Sequence, residues 1–146
     1  MKRYFLDTSA LVKIYHRETG SDYCLELYSN HSLICISELA RVELHSAVYR
    51  KQREKQLSVK ALNAVLKMFK NDCEGRYEVF QIASLVYDEA NRLLSQYAPI
   101  YGLRTLDSLQ LATFLNYCEK DQDCFVCADK KLSTVVECEG IRTIFV

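Results

Sequence analysis

Four carboxylates stand out by their surroundings. Asp7 closes the strand-like run "RYFL" and is followed by two hydroxyls, Thr8 and Ser9, before apolar residues resume. Asp129 closes "CFVCA" in the same manner, ahead of a helix-like segment. In "SELARVELHSAVYR", winding at about 100° per residue puts Glu43 between Leu39 and Ala47, inside the apolar arc, with Arg41 and His45 on the polar side. In "RTLDSLQLATFLNY", a helix apolar nearly all round, Asp107 falls between Phe114 and Leu111. Acids in such places are costly to bury unless something pairs with them.

Each has an ordinary reading. Asp7 and Asp129 make good helix caps, Asp107 suits the positive end of a helix dipole, and Glu43 would pair with an Arg, with Arg104 the candidate. Taken together they suggest more. Two carboxylates about 4 Å apart repel by about 4 kcal/mol at an effective dielectric near ~20. A convergent set survives by taking up protons or by binding a cation, and an all-oxygen set favours Mg²⁺ or Mn²⁺ over zinc.

The elements that would position these acids alternate along the chain. Short β-type runs lie at 3–6, 32–36, 77–82, 124–128 and 142–146. Helical stretches lie near 9–15, 21–29, 38–56, 58–72, 84–97, 105–119 and 130–138. This alternation predicts an α/β fold: a three-layer α/β/α sandwich around a mostly parallel sheet of about five strands. The strands are apolar on both sides, as covered parallel strands should be. Ser37 and Thr105 are natural N-cap residues for the helices that follow them, and Gly75, Gly102 and Gly140 fall at expected turns. In an open parallel sheet, ligands bind beyond the carboxyl ends of the strands, the edge to which Asp7 and Asp129 both belong.

At 146 residues the chain reads as one domain, 1–146, with enough length for a real core. Lys plus Arg and Asp plus Glu balance at 19 each, which argues against gripping nucleic acid by bulk charge alone but leaves room for a local basic face. Asp7 and Lys13 break the N-terminal apolar run too early for a secretory signal. No stretch approaches the roughly 18 to 20 apolar residues of a membrane span. Seven scattered cysteines suit reduced thiols in a cytoplasm.

"LDTSALVKIY", "SELARVELHSAVYR", "GLRTLDSLQLATFL" and "CFVCADKKL" stand in an order and spacing that resembles the PIN-domain nucleases, most closely the VapC-type toxins of toxin–antitoxin pairs. The resemblance spans residues 3 to 146. It implies a parallel sheet of order 3-2-1-4-5, which would make strands 1 and 4 neighbours. It also implies that Asp7, Glu43, Asp107 and Asp129 are the catalytic, metal-binding acids for Mg²⁺ or Mn²⁺, with Asp7, Glu43 and Asp107 the main ligands. Ser9 would support them by hydrogen bonding. The implied activity is endoribonucleolytic hydrolysis leaving 5′-phosphate and 3′-hydroxyl ends. The implied partners are an RNA substrate, a cognate antitoxin and a second copy of the chain in a homodimer, for which the apolar positions of the 38–72 helical pair could supply an interface. Two positions depart from the common pattern: Cys127 two residues before the last Asp, and Gln110 where His is frequent.

Other signals are weaker. The pair Cys124 and Cys127 sits within a core strand, pointing to opposite faces, and reads as packing. His16, His31 and His45 are isolated. The basic run "YRKQREKQ" (49–56) is either a solvated helix end or a track for an RNA backbone. Two other functions compete with the nuclease: a catalytically inactive PIN-like binding or scaffold module, which the intact acid quartet disfavours, and a phosphotransfer domain with Asp7 phosphorylated, which Ser9 in place of a second Asp disfavours.

Overall fold

The computed structural model describes residues 1–146. Five strands are present: β1 (Arg3–Leu6), β2 (Leu33–Ser37), β3 (Glu78–Phe80), β4 (Cys124–Cys127) and β5 (Arg142–Phe145). They alternate with α1 (Thr8–Tyr15), α2 (Ser21–Ser29), α3 (Leu39–Arg53), α4 (Val59–Gly75), α5 (Ser84–Tyr101), α6 (Thr105–Tyr117) and α7 (Lys130–Cys138). All strand pairs are parallel, in the order β3-β2-β1-β4-β5. The three-layer α/β/α expectation and its 3-2-1-4-5 order are both observed.

Alternation within the strands builds two cores, because successive side chains leave a strand on opposite faces. On one face Phe5, Cys35, Phe125 and Cys127 meet Leu93 of α5, Phe114 of α6 and Val136 of α7. Phe5 stacks on Phe125 with centroids 5.2 Å apart, and Phe114 meets both edge-on at 5.9 and 5.7 Å. On the other face Leu6, Ile34, Ile36 and Val126 meet Leu11 of α1, Leu27 of α2, Leu44 of α3 and Phe69 of α4. Cys124 and Cys127 are both fully buried, their offset of three placing them on opposite faces, and all seven cysteines are free thiols. No helix is long and apolar enough to cross a membrane.

The element ends differ from the sequence reading at several points. β3 stops at Phe80 because β2 ends at Ser37; beyond it the Glu38 carboxylate accepts the Ile82 N–H at 2.6 Å in place of a strand partner. Ser37 belongs to β2, yet its hydroxyl still accepts the Leu39 N–H at 3.2 Å at the start of α3. Thr105 is not a cap: it is the first helical residue of α6, the extended Arg104 holds the capping position, and the Thr105 carbonyl accepts the Ser108 hydroxyl. α5 runs through Pro99 to Tyr101, since a proline in the last turn removes only one bond, and it ends on left-handed Gly102 at φ 67°. Gly75 ends α4 in helical conformation rather than making a turn.

Candidate active site

Because β1 and β4 are neighbours, their carboxyl ends release Asp7 and Asp129 side by side. The Asp7 N–H extends the ladder to the Val126 carbonyl at 3.1 Å. Ser9 then ties the two strand ends together: its hydroxyl donates to Asp7 Oδ1 at 2.6 Å and accepts the Ala128 N–H at 2.9 Å. Asp7 Oδ1 also accepts the Ala10 N–H at 3.0 Å, capping α1, and Asp129 Oδ1 accepts the Leu132 N–H at 2.9 Å, capping α7. The ordinary reading is therefore correct for both. Capping engages Oδ1 in each case and orients the carboxylate without using its second oxygen.

Glu43 and Asp107 face the same opening from α3 and α6. A cleft of about 860 Å³ is lined by all four acids. Glu43 Oε1 accepts the Thr8 hydroxyl at 2.9 Å and the Gln110 Nε2 at 2.7 Å. It has no arginine partner: Arg104 instead lies beside Asp107, 3.7 Å away, because the three-residue step along α6 is shorter than a reach across to α3. As they stand, no three Asp, Glu, His or Cys side chains close into a metal cage.

Electrostatics separate these acids from structural ones. Asp7 is 3% exposed, and its carboxyl is pushed up to about 7, first by burial and then by the charges of Asp107 and Glu43, against the lowering effect of Ser9 and the Ala10 N–H. Burial and the Asp129 charge also raise Asp107, with Arg104 opposing. Asp123 is the contrast. It is 1% exposed, at the opposite end of the sheet, and burial there is outweighed by the Glu119 and Arg3 N–H groups and the Arg3 guanidinium, which hold its carboxyl below the usual range. Two of those bonds, from Arg3 N and Arg3 Nη2, measure 2.8 and 2.9 Å. One buried acid is fully partnered; the other faces further acids.

The donor set fits a hard divalent cation. All donors are oxygens, each capped carboxylate keeps an oxygen to spare, and added positive charge would relieve the repulsion on Asp7 and Asp107.

Two features noted in the sequence without an assigned role also reach the cleft. Gln110 is 2% exposed and bridges α6 to α3 and α1, giving Nε2 to Glu43 and, at 3.1 Å, to Thr8, while its Oε1 is buried without a partner. The signal was there: a polar residue one turn after Asp107 on an otherwise apolar helix. The second is the basic run, of which Arg50 and Lys51 line the cleft, paired with Glu54 at 3.0 Å and Glu18 at 2.8 Å respectively.

A family model described as the PIN domain matches residues 4–136. No curated protein matches the chain in sequence. Among solved structures, it is similar to VapBC2 from Rickettsia felis bound to a promoter DNA fragment, at 16% identity over 99% of this chain and 98% of that one, TM-score 0.66. It is also similar to VapC20 from Mycobacterium tuberculosis, a sarcin–ricin-loop-cleaving toxin, at 14% identity over 90% and 93%, TM-score 0.66. A third is FitAcB from Neisseria gonorrhoeae, at 14% identity over 98% and 96%, TM-score 0.66. At these identities the likeness concerns the fold.

Proposed function

The chain belongs to the PIN-domain family, and from that premise we propose that it is a metal-dependent endoribonuclease and the toxin of a type II toxin–antitoxin pair. The observation that carries this reading is the single cleft lined by Asp7, Glu43, Asp107 and Asp129, with Asp7 buried beside like charges and no cation of its own.

Each residue then has a task. Asp7, Glu43 and Asp107 would hold Mg²⁺ or Mn²⁺, and Asp129 would hold a second ion or orient the attacking water. Ser9 and the Ala10 N–H fix Asp7, so that its free oxygen faces the cleft without further ordering. Thr8 and Gln110 fix the orientation of Glu43, because both donate to the same oxygen. Gln110 is thus a positioning residue. A divalent ion there supplies activation of water and neutralisation of charge developing on the phosphate. In-line attack leaves 5′-phosphate and 3′-hydroxyl ends. Arg50 and Lys51, on the wall of the same cleft, would follow the RNA backbone.

The partners follow from the same reading. The fold is shared with a toxin–antitoxin complex from Klebsiella pneumoniae, which supports a cognate antitoxin here. The exposed Val42, Val59 and Met68 on the α3–α4 pair support a homodimer. Free thiols throughout and RNA as the substrate support a cytoplasmic location.

The test incubates wild type and Asp7→Asn with total RNA and with synthetic tRNA and mRNA fragments, in Mg²⁺, Mn²⁺ or EDTA. Discrete cuts bearing 5′-phosphates, lost in EDTA and in the variant, are expected. Equal inertness of both proteins under every metal would favour the inactive binding module.

A further inference from the structure

A second recess, of about 440 Å³, opens beside the acid cleft, and Asp107 and Asp129 form the border between them. Its floor is apolar, made by Leu103, Leu132 and Val135. Its rim is cationic and aromatic: Tyr101 ends α5, Arg104 lies in the turn that follows, and Lys130 and Lys131 open α7. Neither lysine takes part in any ion pair, although the chain's carboxylates as a whole are as numerous as its lysines and arginines. Arg104, largely exposed, has only the loose contact with Asp107 at 3.7 Å. Two unpaired lysines and one loosely held arginine therefore crowd one side of an acidic centre, around a slot too small for a duplex.

We propose that this recess binds the nucleotide next to the scissile phosphodiester, its phosphate held by Lys130, Lys131 and Arg104 and its unpaired base lying on Tyr101 and the apolar floor. The proposal rests on the nuclease reading and adds that the substrate is single-stranded at the cut. A nucleotide fits for three reasons. Ligand pockets run from roughly 300 Å³ upward, so the volume suits one splayed nucleotide. Positive groups beside the acids attract the flanking phosphate, while the acids exclude phosphate from the metal position until a cation is bound. Unpaired bases are read by stacking on aromatic side chains and on arginine.

The experiment measures binding of a random-sequence RNA hexamer carrying a 5′-fluorescein by anisotropy, to an Asp7→Asn chain that cannot cut it. The additional changes are Lys130→Ala with Lys131→Ala, Tyr101→Ala, and Tyr101→Phe. Wild-type cleavage of the same hexamer in Mn²⁺ is run alongside. Removing the lysines is expected to weaken binding about ten-fold at ~0.1 M salt and to make the log–log salt slope shallower by about 1.4. Tyr101→Ala is expected to lose about five-fold or more, with Tyr101→Phe unchanged. A duplex of the same length should bind less tightly than the single strand. Cleavage by wild type together with parental affinity and slope in every variant would overturn the recess and leave the nuclease standing; so would a duplex bound as tightly as the single strand. No binding by the parent and no cleavage by wild type would overturn both.

Discussion

Asp7 and Asp123 show what burial does to a carboxylate with and without donors. Asp123 receives backbone and guanidinium N–H groups, so its charge is stabilising, whereas Asp7 is held up to about 7, so its charge is not. The sign follows. The folded chain binds the Asp7 proton more tightly than the unfolded chain does, so in EDTA this residue opposes folding increasingly as pH rises from about 4 to about 7. Three powers of ten in acidity correspond to about 4 kcal/mol as an upper limit. Asp7→Asn keeps the oxygen that Ser9 and Ala10 use and removes the charge. Thermal denaturation in EDTA is expected to show the variant several degrees more stable than wild type at pH 7.5, with the two nearly equal at pH 4.5. Asp123→Asn should lower the melting temperature at pH 7.5, its loss shrinking in acid as wild-type Asp123 takes up its proton. An Asp7→Asn chain less stable than wild type at pH 7.5 would make Asp7 a structural acid like Asp123. The two were not separable by sequence, since what differs is the partner, Arg3, which is 120 residues from Asp123.

Among the elements, the helices position the acids twice over: once by their start points and once by a bridge. Asp7 and Asp129 were legible because a strand, an acid and a helix in sequence leave little choice about where the acid goes. Glu43 and Asp107 were legible from helical periodicity. What could not be read was which side chains cross between helices. Arg104, a candidate partner for Glu43 on its ordinary reading, sits by Asp107, and the brace on Glu43 is Gln110, which leaves its own carbonyl buried and unpartnered. An orphaned buried carbonyl costs about 1–3 kcal/mol, close to what a charge-assisted bond returns. Gln110→Leu should therefore leave the melting temperature within a few degrees of wild type while weakening Mn²⁺ binding several-fold, and Gln110→His should restore part of it. Leu44→Ala, on the buried face of α3, is expected to lose about 2–5 kcal/mol by comparison. A large stability loss in Gln110→Leu with unchanged Mn²⁺ affinity would reduce Gln110 to a packing strut.

At the scale of the molecule, zero net charge conceals a strong separation of sign. The carboxyl edge of the sheet gathers four acids at its centre, with Arg50 and Lys51, paired to Glu54 and Glu18, on one side, Lys130 and Lys131 on the other, and Arg104 bordering both recesses. Totals could not reveal this, because topology alone brings residues 7, 43, 107 and 129 to one place. The arrangement suits a polyanion that crosses the edge and places one phosphate over a cation. These four carboxylates are proposed to make one divalent-cation site, and calorimetric titration of Mn²⁺ into metal-free wild type and Asp7→Asn at pH 7.5 decides whether they do. Saturable binding of one or two ions to wild type, at least ten-fold weaker in the variant, is the predicted result. No saturable binding to wild type, or the same isotherm for both proteins, would contradict it.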